Sequence, residues 1–396
     1  MKVNKDIVIV DGRRTPYGAF GKSLKDHSAT DLGVESTTAL FNATDIAPDK
    51  IEHVIFGNAL QTSPDAIYLA RHVALRCRIP RQVPAVTVNR LCGSGFETII
   101  QAARHILLGE EEVILAGGTE NMSMAPHCLW GARWGDMRLS DGKMVDLLWT
   151  ALTDSYSGCS MAQTAENLAD QFDISREAAD EYAYRSQMRA SEAWGAGKMQ
   201  NEVSPVTVET KKGEQTIDTD EHIRPDTSLK KLAKLKPYFK KDGTVTAGNA
   251  SGICDGSGSV IVTSAERAEK EGWNPIGRLH GWGIAGVEPS IMGIGPVEAS
   301  QKALANVSMD LDDMALVEVN EAFASQYLAV EKELGLDREI TNVNGGAISI
   351  GHPLASSGTR LTITILKELQ RRKEQFGLAT ACIGGGQGAA VILEAI

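Results

Sequence analysis

Little in this chain points toward a membrane or a nucleic acid. No apolar run reaches the length a bilayer span requires. The first ten residues enter a strand directly, with no signal peptide or transit-type arm. Positive charge is in short supply: 40 Lys and Arg stand against 51 Asp and Glu, a formal net charge of −11. That balance argues against nucleic acid or anionic lipid as the main partner. Zinc-site spacing is also absent. The six cysteines, Cys77, Cys92, Cys128, Cys159, Cys254 and Cys382, form no CxxC pair and have no His cluster beside them, so no metal is expected. Free thiols without a leader imply a reducing, cytoplasmic location. Proline is sparse at 13 and glycine abundant at 39, as tight strand–helix corners require.

What is present is a repeating strand–helix pattern. In the first 120 residues, strands are expected at 6–10, 53–56, 83–88 and 112–116, the last ending at Gly117-Gly118. Helices are expected from a Ser28 or Thr30 cap through Leu40, over 68–76, and over 95–108 with a stop at Gly109. Such alternation is the signature of a parallel sheet with crossover helices. The last 125 residues repeat the plan. Asp310–Asn320 echoes Ala47–Asn58, Val343-Asn344 echoes Val88-Asn89, and Leu378–Ile383 with Gly384-Gly-Gly386 echoes Val113–Ala116 with Gly117-Gly118. Three echoes at similar separations indicate an internal duplication. Leu361–Leu366, apolar nearly all round, fits a helix held between two sheets. The expected fold is therefore α/β, two halves stacked as α/β/α/β/α. Its boundaries are 1–120, an insertion over 121–243, a return to the first half over 244–271, and a second half over 272–396. The insertion concentrates lysines between Lys211 and Lys241 in an otherwise acidic chain. For most of them a solvated face is the simpler reading, and a landing site for a phosphate-bearing ligand the sharper one.

Four residues fall at strand ends among small neighbours. Cys92, in Val88-Asn-Arg-Leu-Cys92-Gly-Ser-Gly, opens a helix whose N-terminal dipole favours thiolate. The competing reading is a small buried hydrophobe at a corner. Asn320, in Val319-Asn320-Glu-Ala-Phe-Ala324, either positions a water or oxyanion or caps a helix. His352, between Gly351 and Pro353, is a candidate general base. Cys382 faces the glycine run 384–386, whose N–H groups are suited to a developing negative charge. Two thiols and an imidazole at one edge suggest a nucleophile, its base and a second acid/base.

Taken together, Asn89-Arg-Leu-Cys92-Gly-Ser-Gly, Gly117-Gly-Thr-Glu-Asn-Met-Ser123, Asn320-Glu-Ala-Phe-Ala324, Gly346-Ala-Ile-Ser-Ile-Gly-His352-Pro and Cys382-Ile-Gly-Gly-Gly-Gln-Gly388 resemble the thiolase motifs, in order and over essentially the whole chain. The resemblance implies an acyl-CoA C-acyltransferase with coenzyme A or acetyl-CoA as substrate and no permanently bound cofactor. It implies Cys92 as the acyl-carrying nucleophile, His352 as its activator, and Cys382 as the acid/base at the α-carbon. One oxyanion hole would come from His352 with a water held by Asn320, the other from the N–H groups of Cys92 and Gly384. Coenzyme A would touch Arg224, Ser251, Ala322 and Phe323, and Met292 would line the acyl pocket. A homo-oligomer, a dimer of dimers, is implied, with the aromatic-rich 130–144 segment a candidate for subunit contact. Two departures stand out. Ser160 precedes Met161 where thiolases specific for short acetoacetyl chains often carry His, which leaves chain length open. Ala355 stands where Gly is common, so a slightly altered loop with intact chemistry is expected. The rival readings are a decarboxylating ketoacyl synthase, a cysteine hydrolase built on Cys92 and His352, and a binding protein without turnover.

Overall fold

The structure is a computed structural model that describes residues 5–134, 143–211 and 213–396. Lys212 and the middle of the 130–144 segment lie outside the described residues. Nine strands follow one another across a single large sheet, with the two halves of the chain on opposite sides. The first half contributes Ala85–Val88, His53–Gly57, Val113–Asn121, Cys254–Ser264 and Ile7–Arg14, in that spatial order. The second half contributes Gly277–Gly286, Gln387–Ala395, Phe376–Ile383 and Leu316–Val319. Within the sheet the halves meet where Val8 and Ile9 pair with Arg278 and Gly277.

The sheet is mixed, which corrects the parallel expectation. His53–Gly57 runs parallel to both of its neighbours, and Leu316–Val319 runs parallel to Phe376–Ile383; the remaining pairs along the sheet are antiparallel. The reason lies in the connections. Crossover helices give parallel pairs, whereas Phe376–Ile383 turns straight back through Gly384–Gly386 into Gln387–Ala395. Val113–Asn121 also does not stop at Gly117-Gly118. Both glycines continue its ladder, opposite Ser259 and Gly258. Where the first half has the strand Ala85–Val88, the second has only an isolated bridge, Val317 to Thr341. The side chain of Asn342 takes over there. Its amide accepts from Val319 N at 2.9 Å and donates to Val319 O at 3.0 Å, as a strand backbone would.

Two helices fill the space between the halves, Ser94–Leu108 and Ser357–Arg372. Each packs on strands of both halves and on the other helix. Residues 357–366 are all buried, as a helix held between two sheets requires, and buried Arg360 among them is paired with Glu318 at 3.1 Å. Phe96, Ile99, Ile363 and Leu366 share one core cluster with strand residues of both halves. Outside lie Ala29–Thr44 and Leu69–Arg76 on one side, Gly295–Val307 and Ala324–Leu334 on the other. A capping box at Ser28 and Asp31 starts the first of these. The middle of the chain adds Met161–Gln171 and Arg176–Gly195, both packed on Ala324–Leu334. Ser175 caps the second, accepting from Ala178 N. Buried Arg14 ties this region to the first strand, at 2.8 Å from Glu202 and 2.7 Å from Asp220. Among the described residues no helix is long and apolar enough to cross a membrane.

The two central helices meet at their N-termini, glycine against backbone. A methyl group on Gly95 would lie 2.4 Å from Thr359 N, and one on Gly358 would lie 2.4 Å from Phe96 N. These positions correspond under the duplication, so one crossing serves both halves. Gly95→Ala and Gly358→Ala should each destabilise by about 1–3 kcal/mol, since neither backbone can yield locally. Gly195→Ala, where the added methyl meets nothing within 4 Å, is the matched control. Thermal unfolding of the three variants checks this; equal midpoints would contradict it.

Candidate active site

Strand ends and helix starts of both halves converge beside that crossing. Cys92 sits in a single 3-10 turn, Leu91–Gly93, between the strand Ala85–Val88 and the helix Ser94–Leu108. The turn is tight. Leu91 adopts φ 47°, a left-handed conformation that costs a β-carbon-bearing residue of order 1–3 kcal/mol. Local bonds hold it there: Leu91 N donates to Asn89 Oδ1 at 2.8 Å, Arg90 N donates to Ser94 Oγ at 2.8 Å, and Ser94 Oγ donates to Leu91 O at 2.8 Å. Arg90 then reaches Glu97 at 2.7 Å and Gln387 at 3.0 Å, tying the Cys92 turn to the glycine turn after Cys382.

His352 follows Gly351, whose φ of 110° only glycine adopts comfortably and whose added methyl would lie 2.7 Å from Cys254 Sγ. The ring tautomer follows from its partners. Ser357 Oγ lies 2.6 Å from Nδ1 and donates onward to Pro353 O at 3.3 Å, so Nδ1 carries the proton. Nε2 keeps its lone pair, 3.3 Å from Asn320 Nδ2. Asn320 Oδ1 is buried without a partner. Buried Glu120 braces the loop from behind, accepting from Ala59 N at 3.1 Å, Leu60 N at 2.8 Å and Ala355 N at 3.2 Å. Burial pushes Glu120 up to about 7. Ala355 is wholly buried in this arrangement, its methyl accommodated.

Cys92 and His352 line a cavity of about 270 Å³, together with Gly384, Met292, Ala322 and Phe323. Cys382 is fully buried and lies behind the cavity wall, clustered with Met292 and Ala322 and against Met161 and Phe323. It stands close enough to Cys92 for that sulfur to raise the Cys382 thiol. The sequence placed both thiols in one open pocket; here one thiol faces it and the other is buried behind its wall. A wider groove of about 610 Å³ leads in, sharing Met161, Ser251, Phe323 and His352 with the inner cavity and carrying Arg224 on its wall. Ser251 N donates to Ala322 O at 2.9 Å, which joins the chain's middle to its second half. Arg224 is exposed, and its guanidinium bonds its own backbone, Glu221 O at 2.7 Å. Of the lysines gathered near by, Lys231 pairs with Asp226 and Lys240 with Asp170, and Lys230, Lys234 and Lys236 stand exposed.

The electrostatics correct one expectation. Burial pushes the Cys92 thiol up to about 11, outweighing the N–H groups of Gly384 and of Cys92 itself that point at the sulfur. The long helix starts at Ser94, so its dipole does not reach the sulfur at full strength. Burial, then the charge of Arg360, pulls His352 down to about 3. Cys382 is raised further still, by burial and then by Cys92. The resting site is thus thiol, neutral imidazole, thiol. Ser357 and Glu120 had not been singled out in the sequence. Ser357 has a local signal, since it follows His352 by five residues at a helix start; Glu120 lies within the Gly117–Ser123 motif, which does not show its distant partners.

A thiol facing a neutral imidazole, with a second thiol beneath and a long groove leading in, defines a cysteine acyltransferase. The chain belongs to the thiolase family: the thiolase N-terminal domain model matches residues 7–266 and the C-terminal domain model residues 273–395. It is 52% identical over 394 residues to the mitochondrial 3-ketoacyl-CoA thiolase of Homo sapiens, covering 100% of this chain and 99% of that one. It is 44% identical to the beta-ketothiolase BktB of Cupriavidus necator, with full coverage of both. The crystal structure of human mitochondrial 3-ketoacyl-CoA thiolase superposes with a TM-score of 0.98, covering 100% of each chain, and the same enzyme in complex with CoA with 0.97, covering 100% of this chain and 99% of that one.

Alkylation of Cys92 by iodoacetamide should rise about tenfold per pH unit through the neutral range, because only the thiolate reacts and the thiol titrates near 11. A peptide-resolved rate that levels off near neutrality would instead indicate a preformed thiolate–imidazolium pair.

Proposed function

We propose that this thiolase cleaves 3-oxoacyl-CoA with coenzyme A, releasing acetyl-CoA, and runs the reverse condensation of acetyl-CoA with an acyl-CoA. The observation that carries this reading is the pairing of a cavity-facing thiol with a lone-pair nitrogen, over a second thiol whose burial keeps it protonated. In cleavage, the Cys92 sulfur attacks the C3 carbonyl while His352 Nε2 takes its proton. The C2–C3 bond breaks, leaving an acyl thioester on Cys92 and an acetyl-CoA carbanion that Cys382 protonates. A CoA thiol then attacks the thioester, its proton passing to Cys382; the bond from the acyl carbon to the Cys92 sulfur breaks, acyl-CoA leaves, and Cys92 takes its proton back from His352. Charge on the C3 oxygen is met by the Gly384 and Cys92 N–H groups. Charge on the acetyl thioester oxygen is met by His352 with a water at the unpartnered Asn320 Oδ1. Loss of one such donor typically costs about 3 kcal/mol.

Arg224, Ser251 and the uncovered lysines suit the phosphate-bearing end of coenzyme A, and Phe323 suits its pantetheine arm, on the groove's position and charge. Met292 and Leu354 give the inner cavity an apolar wall, and Ser160 is spent capping the helix Met161–Gln171, so chains longer than acetoacetyl are part of the reading. Assembly into a homo-oligomer is supported by Ala85–Val88, an edge strand with Val86 40% exposed, near Ile67 at 60% and Tyr68 at 56%; light scattering at the mass of four chains would agree, and at one chain would not.

Purified protein given acetoacetyl-CoA and longer 3-oxoacyl-CoA should form acetyl-CoA only when free CoA is present, with kcat/KM holding or rising as the chain lengthens. Free acid released without CoA would favour the cysteine hydrolase, and activity confined to acetoacetyl-CoA would overturn the chain-length reading.

A further inference from the structure

Two stretches distant in sequence meet at the opposite end of the Ser94–Leu108 helix from Cys92, one carrying His53 and the other His105 and Glu111. His53 opens the strand His53–Gly57, His105 sits in the last turn of the helix, and Glu111 lies in the turn before Val113–Asn121. One donor atom from each lies within 4.8 Å of the others. We propose that His53, His105 and Glu111 form a binding site for one divalent transition-metal ion of the zinc type.

Glu111 stands between the two imidazoles. Its Oε2 is 2.9 Å from His105 Nδ1, and its Oε1 is 3.4 Å from His53 Nδ1 without the alignment of a hydrogen bond. Glu110 Oε2 lies 2.8 Å from His105 Nδ1 and offers a fourth donor. The imidazole rings lie against each other, centroids 4.9 Å apart. A hydrogen-bond reading explains His105 alone. It leaves His53, only 9% exposed, with neither ring nitrogen hydrogen-bonded, and buried polar groups are seldom left so. A metal ion accepts that lone pair, and a carboxylate with two imidazoles is a donor set zinc takes readily. Tetrahedral binding needs donors about 3.3 Å apart, a closure that side-chain rotation supplies. The negative end of the helix adds to the attraction.

The helix is 15 residues long, which puts the site about 22 Å from the Cys92 turn. The ion therefore takes no part in acyl transfer. It fastens the start of a strand, the end of the central helix and the turn between that helix and its next strand. His53 lies too far upstream of His105 and Glu111 for the three to show as a spacing pattern, which is why the sequence pointed to no metal.

Co2+ serves as the probe, because tetrahedral nitrogen and oxygen ligation gives visible d–d bands without the near-ultraviolet charge-transfer band that thiolate ligands produce. The full chain, stripped with EDTA, should bind one Co2+ with that signature, displaceable by Zn2+. Binding should weaken at least about tenfold in His53→Gln and in Glu111→Gln, with thiolysis unchanged. Zn2+ should raise the unfolding midpoint of the parent chain and not of the variants. If His53→Gln folds poorly, His105→Gln, at a more exposed position, carries the same comparison. Absence of stoichiometric binding, binding undiminished in the variants, or a thiolate charge-transfer band on the bound cobalt would each overturn the site.

Discussion

The structure depends on the close approach of two helix starts. Gly95 and Gly358 let the main chains of the central helices touch where a single methyl group would prevent it. Both helices begin at that point, and each is entered from a loop that carries chemistry: the Cys92 turn on one side and the His352 loop on the other. The duplication thus explains more than the fold. It places the proposed nucleophile from the first half and the proposed base from the second on one cavity, and it holds their loops there with a backbone contact rather than with flexible side chains. The third member, Cys382, arrives on a strand of the second half, and Arg90 spans from the Cys92 turn to Gln387 beyond it.

Burial sets the protonation of this centre. Each of its three titrating groups is held in its uncharged form: both thiols are raised, and the imidazole is lowered. An enzyme that forms and breaks a carbon–carbon bond has reason to avoid a resting ion pair. A neutral imidazole can take the Cys92 proton as the sulfur attacks, and a protonated Cys382 can give its own to a carbanion. The cost of keeping polar groups dry is offset by fixed partners. Ser357 orients the ring, and Glu120 ties the His352 loop at Ala355 N to the segment after the strand His53–Gly57 at Ala59 N and Leu60 N. The same low polarity strengthens each N–H directed at a developing oxyanion.

Much of this was legible in the sequence, because chemistry here sits on local punctuation. Cys92, His352 and Cys382 are each bracketed by glycine or proline at a strand–helix or strand–strand corner, and the corners repeat between halves. Helix starts were legible for the same reason, as at Ser28 and Ser175. What failed was anything decided by distant residues. The sheet is mixed because return strands such as Gln387–Ala395 pair across the fold. Asn342 replaces a strand with its side chain, which no periodicity predicts. The expected Cys92 thiolate was lost to burial, a property of the assembled interior. Glu120 and the His53–His105–Glu111 cluster belong to the same class, since their partners come from separate segments.

The central claim is that one thiol carries the acyl group and the other moves the α-proton. The most direct measurement is made on the Cys382→Ser protein given acetyl-CoA in deuterated buffer, with the acetyl group located by peptide mass spectrometry and α-exchange followed by NMR. The account predicts one acetyl group on Cys92 and almost no deuterium entering the acetyl-CoA methyl, where the parent enzyme exchanges readily. Undiminished exchange in the variant, or acetyl found on a residue other than Cys92, would contradict it.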